Sequence, residues 1–215
     1  MAELWVIDPV PEAIEEVRKR VPVGVVVHGV VGRVQEVEIP PCDLLVCSMT
    51  LHHLAGLDAE QRLSYDMLGP GKREVLERFG RALGTSGVGF LLEADVGCDL
   101  EYAPGDPVLL DHIFDSYMRR CGRSILSDAL QTPHEDQRAR WSGLLRYWFL
   151  EQLKVARLPR SQRDVYELEV EDWLWLISES KLRIRSHGPA DSIGLFVLYT
   201  FSERPSSIAR EGSTS

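Results

Sequence analysis

The hydrophobic positions of this chain switch between continuous runs and helical spacings, a pattern that predicts strands and helices following one another. Residues 3–8 read as a short apolar strand that ends in a carboxylate. Residues 23–31 are almost continuously apolar, as expected of a parallel strand that is covered on both faces, and residues 42–48 predict another buried strand. Residues 88–94 predict a further strand. Together the four runs predict a mainly parallel sheet.

Helical spacing separates these runs. Residues 10–20 predict an exposed helix, in which Glu15 and Glu16 are each followed four positions later by a basic residue. Residues 71–83 place their apolar side chains on one face, and Gly84 ends this helix. Strands that alternate with helices in this way predict a doubly wound α/β fold built from right-handed βαβ units.

The pattern changes near residue 97, where three helical segments predict an insertion that covers the sheet as a lid. They span residues 107–119, 123–130 and 136–157. The last segment carries a stripe at helical spacing, most of it aromatic or aliphatic: Trp141, Leu144, Leu145, Trp148, Phe149, Gln152 and Leu153. This stripe predicts core packing or, for part of it, contact with a ligand.

The chain closes with a predicted helix at 170–180 and two strands, at 181–186 and 193–201. A turn at Gly188-Pro189 joins the strands. A connection this short makes them antiparallel neighbours, because a parallel pair needs a longer crossover. The fold prediction is therefore a doubly wound, mainly parallel sheet with a C-terminal antiparallel hairpin.

Length and composition predict one domain over residues 1–201, with the insertion at about 97–160 and a disordered tail at 202–215. The net charge of −9, from 24 basic and 33 acidic residues, argues against sequence-independent binding of nucleic acid. No apolar run approaches the roughly 20 residues that span a bilayer, and no signal peptide is visible. We expect a cytoplasmic location without a membrane partner. The four cysteines lack paired spacing, so we expect them to be reduced.

Polar residues that follow predicted strands are the candidates for chemistry. A carboxylate at the tip of the first predicted strand, Asp8, is placed to accept hydrogen bonds from ribose hydroxyls. Glu93 and Asp95 end another strand, where they predict either orientation of an acceptor or helix capping and loop hydrogen bonds. His53, with His52 beside it, is the predicted general base, although such a pair equally caps a helix or packs on a cofactor ring.

A second group of polar residues lies in the predicted insertion. Asp111, His112 and Tyr117 fall in one helix that would cover the site. They predict either substrate contact or a solvated helix face. No spacing of histidines and cysteines resembles a zinc site, so we predict no metal.

This order of elements resembles the class I S-adenosylmethionine-dependent methyltransferases over roughly residues 3–96 and 165–201. The matching pieces are the strand 4–8 with Pro9, the strand 42–46 running into 51–54, the helix end and strand 83–92, and the terminal hairpin. The resemblance implies that S-adenosylmethionine (SAM) is the cofactor, and that a methyl group passes to an oxygen or nitrogen atom of a small-molecule acceptor.

The resemblance also implies roles for single residues. Asp8 and Pro9 match the segment that binds the ribose of the cofactor. The segment from Ser48 through Thr50 to His53 matches the one that borders the methyl group and the acceptor.

One part of the family pattern is missing, because no first strand with a glycine-rich turn precedes Met1. Three explanations compete: the sequence starts too late, a partner chain or second copy covers the open sheet edge, or the protein is a reduced relative. The last explanation gives an alternative function, a cofactor-free protein with this fold that acts as a non-methylating catalyst such as a cyclase, or as a binding or partner subunit.

Overall fold

The computed structural model describes residues 2–54, 70–95, 103, 105–131, 134–159, 162, 167–191 and 194–204. Within these ranges the strands are β1 (Ala2–Asp8), β2 (Val25–Val31), β3 (Leu44–Ser48), β4 (Val88–Ala94), β5 (Leu182–Pro189) and β6 (Phe196–Glu203). The α-helices are α1 (Pro11–Arg20), α2 (Pro70–Leu83), α3 (Pro107–Tyr117), α4 (Arg123–Gln131), α5 (Glu135–Arg157) and α6 (Val170–Glu179). A π-helical turn (Met118–Gly122) joins α3 to α4.

The described strands form two sheets. Strands β1 and β2 pair in parallel as a two-stranded sheet. The other four have the order β3-β4-β6-β5, in which β3 and β4 are parallel and β6 runs antiparallel to both of its neighbours. The predicted α/β class, parallel pairing and C-terminal hairpin are confirmed.

Helix α1 packs on one face of the two-stranded sheet. It begins after Asp8, whose carboxylate Oδ1 accepts a hydrogen bond of 2.7 Å from the Val10 backbone N–H. Its buried residue, Ile14, lies over Gly29 of β2, where a Cβ atom would come within 2.6 Å of Ile14 Cγ2. Glycine at position 29 therefore lets the helix approach the strand closely.

The main core lies between the four-stranded sheet and helices α2 and α6. It is built from side chains that alternate along the strands, including Leu45, Cys47, Leu91, Val197, Tyr199 and Phe201, together with Val75, Leu76, Phe79, Trp173, Leu176 and Ile177 of the helices. Trp173 and Tyr199 are both fully buried, and their ring centroids are 6.5 Å apart. The core thus covers one face of this sheet.

The opposite face of β3 is exposed. Leu44 and Val46 retain 60% and 68% of their accessible surface, whereas Leu45 and Cys47 between them are buried. The prediction that residues 42–48 form a strand is confirmed, but the prediction that both of its faces are covered is wrong. An apolar run of five residues carries too little information to tell one buried face from two.

Helix α2 also anchors the connection between the two sheets. Arg78 Nη1 donates hydrogen bonds to the carbonyl oxygens of Val34 (3.0 Å) and Gln35 (2.9 Å). Its Nη2 donates to the carbonyl oxygen of Val37. One guanidinium thus satisfies three backbone acceptors of an irregular segment that has few strand or helix partners.

The C-terminal hairpin turns later than predicted. Strand β5 includes Gly188 and Pro189, so the chain reverses after Pro189 and the predicted Gly188-Pro189 turn is wrong. The Asp191 carboxylate forms this turn by accepting hydrogen bonds from the backbone N–H groups of Gly194 (2.6 Å), Leu195 (3.2 Å) and Phe196 (2.7 Å). Strand β6 continues through Glu203, so residues 202 and 203 belong to a strand and not to the predicted tail, and residues 205–215 lie outside the described part.

The predicted helices of the insertion are present. Helix α3 packs against α5 through a small cluster of Leu109, Ile113 and Ala156. The side chains of Trp141, Leu144, Leu145, Trp148, Phe149 and Gln152 lie outside the described residues, so the role of that stripe stays a prediction. In the part of the chain that the structure describes, every helix is too short or too polar to cross a membrane.

Candidate functional site

The chain bends sharply where β3 ends. Met49 has a positive φ of 49°, which a residue with a side chain adopts rarely. Its backbone N–H donates to the carbonyl oxygen of Leu92 on β4 at 2.8 Å. The bend turns the chain into a short 3₁₀ turn (Leu51–His53) that lies beside the end of β4. Such a conformation persists where the surrounding contacts fix it, and one further residue of β4 supplies such contacts besides the Leu92 carbonyl.

Glu93 is that residue. Its side chain is 1% exposed, and its Oε1 accepts hydrogen bonds from the backbone N–H groups of Thr50 (3.1 Å) and Leu51 (2.7 Å). Its Oε2 lies 2.7 Å from Nδ1 of His52, which is 7% exposed. Because an ionised carboxylate only accepts, Nδ1 of His52 carries the donated hydrogen in this pair. Nε2 is the second nitrogen of the ring.

The structure therefore pairs two residues that the sequence predicted for different roles. His52 was predicted as a catalytic residue and Glu93 as a substrate contact. Glu93 makes hydrogen bonds to this turn, which fits the loop hydrogen bonds that were its alternative prediction, and its contact with a substrate stays a prediction. A base held by a carboxylate in this way has a fixed ring orientation and a stabilised protonated form.

His53 has a different environment. Its side chain is exposed, and its ring lies 4.2 Å from the His52 ring, measured between centroids and tilted by 41°. Burial and the carboxylate partner thus distinguish His52 from His53. The catalytic role of either histidine stays a prediction.

Lys72 is a residue of this site that the sequence analysis missed. Its side chain is 0% exposed, and Nζ donates a hydrogen bond to the carbonyl oxygen of Leu54, directly after the 3₁₀ turn. Burial lowers the pKa of Lys72 to about 7, against an opposing effect of Glu93. The available signal was its position on the apolar face of α2, three and four residues before Val75 and Leu76.

The Cys47 thiol lies on the same covered face. Burial first, and then the Glu93 carboxylate, raise its pKa to about 12, while a hydrogen bond with Thr50 acts in the opposite direction. A thiol with so high a pKa stays protonated at neutral pH and is a poor nucleophile. We assign Cys47 to packing.

Asp95 makes loop hydrogen bonds, which were one of its two predicted roles, and its contact with an acceptor stays a prediction. Its Oδ1 accepts a hydrogen bond of 3.1 Å from the backbone N–H of Val170, the first residue of α6. Its own backbone N–H donates to Leu195 at 2.9 Å. The carboxylate thus stabilises the start of a helix.

The predicted cofactor residues lie at the carboxyl ends of β1 and β3. Asp8 Oδ1 caps the turn into α1, and Oδ2 has no hydrogen-bond partner among the described residues. Pro9 is exposed beside it. Ser48 is exposed at the end of β3, and its carbonyl oxygen accepts a hydrogen bond of 2.9 Å from Thr50 Oγ1. These positions leave one oxygen of Asp8 available for a ribose hydroxyl.

The remaining predicted contacts lie on α3. Asp111 is exposed, His112 is half-buried and Tyr117 is buried. Helix α3 packs against α5 and the π-helical turn, and none of the hydrogen bonds described here joins it to Glu93 or His52. Their contact with a substrate stays a prediction. No three His, Cys, Asp or Glu side chains of the described ranges come together as a metal site.

Comparison with known proteins gives matches among solved structures only. No family model and no curated protein sequence matches the chain. A SAM-dependent methyltransferase from Leishmania major matches 94% of this chain and 55% of its own, with 14% identity and a TM-score of 0.47. Human N-acetylserotonin methyltransferase, solved with SAM, matches 94% of this chain and 41% of its own, with 12% identity and a TM-score of 0.47.

A further match, described as a pericyclic reaction enzyme, covers 94% of this chain and 36% of its own, with 9% identity and a TM-score of 0.45. The chain therefore spans 36% to 55% of the lengths of these three proteins. Scores below 0.5 say nothing about activity. The α/β fold of this chain is defined by its own strands, a parallel pair of β1 and β2 and a four-stranded sheet in the order β3-β4-β6-β5.

Proposed function

We propose that this protein is a methyltransferase-like enzyme that transfers a methyl group from SAM to an oxygen or nitrogen atom of a small molecule. The observation that carries the proposal is the buried His52–Glu93 pair at the end of β3 and β4. This edge of an open α/β sheet, where parallel strands end, is the edge that binds ligands. A titratable base held there by a carboxylate suits an acceptor that starts protonated.

Each side chain has its own role in the proposed reaction. His52 Nε2 takes the proton of an acceptor O–H or N–H group, and Glu93 stabilises the imidazolium that results. Glu93 also fixes the backbone of Thr50 and Leu51, which keeps the base in one position. Bound SAM supplies a methyl group on a sulfonium sulfur, and Asp8 would hold its ribose.

Activity of matched variants tests the assignment of the base. The full chain is incubated with SAM and a panel of phenols, alcohols and amines, and methylated products are measured by mass spectrometry. We expect His52→Ala to lower the rate about 100-fold or more, the usual contribution of a general base. His53→Ala is the matched control and should keep most of the activity.

The reverse order, with His53→Ala inactive and His52→Ala active, would contradict the assignment of His52. Methylation that survives both substitutions would remove the general base from the mechanism.

The alternative function, a cofactor-free catalyst such as a cyclase or a partner subunit, has one observation in its favour. Among the described residues, no strand lies between β1 and β3 and pairs with both of them. The two sheets are therefore separate, and β1 and β3 are edge strands. This alternative predicts that the folded chain does not bind SAM or its demethylated product. It also predicts a stable complex with another chain in cells.

A further inference from the structure

Strand β3 lies at an edge of the four-stranded sheet, and half of its backbone has no strand to pair with among the described residues. The carbonyl oxygen of Asp43 accepts the Val88 N–H at 3.0 Å, and the Met49 N–H donates to the carbonyl oxygen of Leu92 at 2.8 Å. In a parallel ladder every second residue bonds to the same neighbour, so the odd-numbered residues from 43 to 49 face β4. The backbone groups of the even-numbered residues between them point away from β4.

The side chains of these even-numbered residues are also uncovered. Leu44 and Val46 retain 60% and 68% of their accessible surface, and Ser48 is exposed. No extensive contact joins β1, β2 or α1 to β3 in the described part of the chain. The edge therefore presents backbone donors and acceptors together with two apolar side chains, which is the template on which another strand pairs.

The opposite edge of the same sheet is protected against such pairing. Strand β5 has a bulge-like shift in register between Ile184 and Ser186, exposed Arg183 and Arg185 beside it, and Pro189 at its end. Bulges, charged side chains and proline are the features by which proteins keep an edge strand from pairing with another chain. Residues 44–48 of β3 contain none of them. One edge of the sheet is thus blocked, and the other is open.

We infer that β3 is a contact between two copies of this chain, which pair edge to edge in antiparallel orientation about a two-fold axis at Val46. Pairing of this kind joins two four-stranded sheets into one of eight strands, with a β5 strand at each end. Because both ends are then protected edges, the association stops at two copies. An open edge opposite a protected one is the arrangement that a closed dimer needs.

The register about this axis is self-complementary. Val46 of one copy lies opposite Val46 of the other, and Leu44 lies opposite Ser48. Each of these residues directs its N–H and C=O groups at the other copy, as the hydrogen-bonded pairs of an antiparallel ladder require. The carbonyl oxygen of Ser48 already accepts a hydrogen bond of 2.9 Å from Thr50 Oγ1, and its second lone pair serves the new bond.

Charge also favours this edge over the rest of the surface. The chain carries a net charge of −9, so two copies repel each other wherever acidic surfaces meet. Residues 44–48 carry no charge, and the exposed carboxylate next to them, Asp43, lies opposite Met49 of the other copy. The two Asp43 residues are then about 20 Å apart, at opposite ends of the contact, where salt screens their repulsion.

Sedimentation velocity of the full chain tests the inference, at chain concentrations from about 1 to about 100 µM. Val46→Pro removes the N–H group that would bond across the axis. This N–H points away from β4, so the substitution keeps the hydrogen bonds of the existing ladder. Val46→Thr is the matched control, because it keeps the backbone donor and a β-branched side chain. Urea unfolding checks that each variant is folded.

We expect the mass of the wild type to rise from one chain to two with concentration, and no further. Val46→Pro should raise the dissociation constant of the dimer at least about tenfold, because two backbone hydrogen bonds are lost at the axis. Val46→Thr should raise it less than Val46→Pro does. If Val46→Pro does not fold, Val46→Lys gives the decisive measurement, since two like charges would meet at the axis.

A wild-type chain that stays monomeric over the whole range would overturn the inference, as would assembly beyond two copies. Equal dissociation constants in the wild type and Val46→Pro would place the contact elsewhere, for example at the edge of β1. An equal loss in Val46→Thr and Val46→Pro would show that side-chain packing, and not strand pairing, holds the copies together. The inference is independent of the proposed function, because sedimentation requires neither SAM nor an acceptor.

Discussion

At the scale of single residues, the site depends on where the structure places its charges. His52 and Glu93 are 41 positions apart in the chain, and only the pairing of β3 with β4 brings them to 2.7 Å. The sequence predicted both as candidates because both follow strands. The sequence could not predict that the two side chains contact each other, because a carboxylate at a strand end can accept hydrogen bonds from the backbone, from a histidine or from a substrate. Lys72 was missed because lysines on predicted helices are usually exposed.

The buried amine of Lys72 gives a testable dependence of stability on pH. The pKa of Lys72 is lowered from 10.5 to about 7 in the folded state, so between these values the unfolded chain binds more protons. The free energy of unfolding then rises with pH, by about 2 kcal/mol between pH 7 and pH 9. Urea unfolding of the wild type and of Lys72→Met between pH 7 and pH 9 measures this change in the free energy of unfolding. The variant should lack the rise.

The pH window matters because Cys47 acts in the opposite direction. Its pKa is raised from 9.0 to about 12, so the stabilisation that it gives is complete below pH 9 and is lost as the pH rises further. Measurements that stop at pH 9 isolate the contribution of Lys72. An equal slope in wild type and Lys72→Met would show that the amine is not the group that titrates.

At the scale of elements, the sequence predicted the strands and helices whose positions depend on local patterns of apolar residues and glycine. Apolar runs located β3 and β4, and the glycine at position 84 lies just past the end of α2. The hairpin turn was misplaced because Gly188-Pro189 is a strong turn signal, whereas the actual reversal depends on the side chain of Asp191. A carboxylate that accepts three backbone N–H groups is visible only once the chain is folded.

The turn made by Asp191 predicts a specific loss of stability. In Asp191→Ala, the backbone N–H groups of Gly194, Leu195 and Phe196 lose their acceptor, and we expect the free energy of unfolding to fall by about 1 to 3 kcal/mol. Asp43→Ala, at an exposed carboxylate before β3, is the matched control and should change it little. Urea unfolding gives both values. Equal losses in the two variants would show that the turn does not depend on Asp191.

At the scale of the whole molecule, the two separate sheets are the main departure from a continuous one. Within the described residues, β1 and β3 each lack a neighbouring strand on one side. Exposed Leu44 and Val46 show that the second face of β3 is also uncovered. Pairing of these edges with a second copy or a partner chain stays a prediction. Sequence patterns predict individual strands, but they do not show which strand pairs with a free edge.

The central claim is that this chain binds SAM at the carboxyl ends of β1 and β3 and uses it. Calorimetric titration of the folded full chain with S-adenosylhomocysteine tests this claim most directly. We predict micromolar binding, weakened by Asp8→Ala and unchanged by Asp43→Ala. Asp8→Asn keeps an acceptor for the Val10 N–H and therefore separates ribose binding from this hydrogen bond. No detectable heat from a folded chain would contradict the claim and favour the cofactor-free alternative.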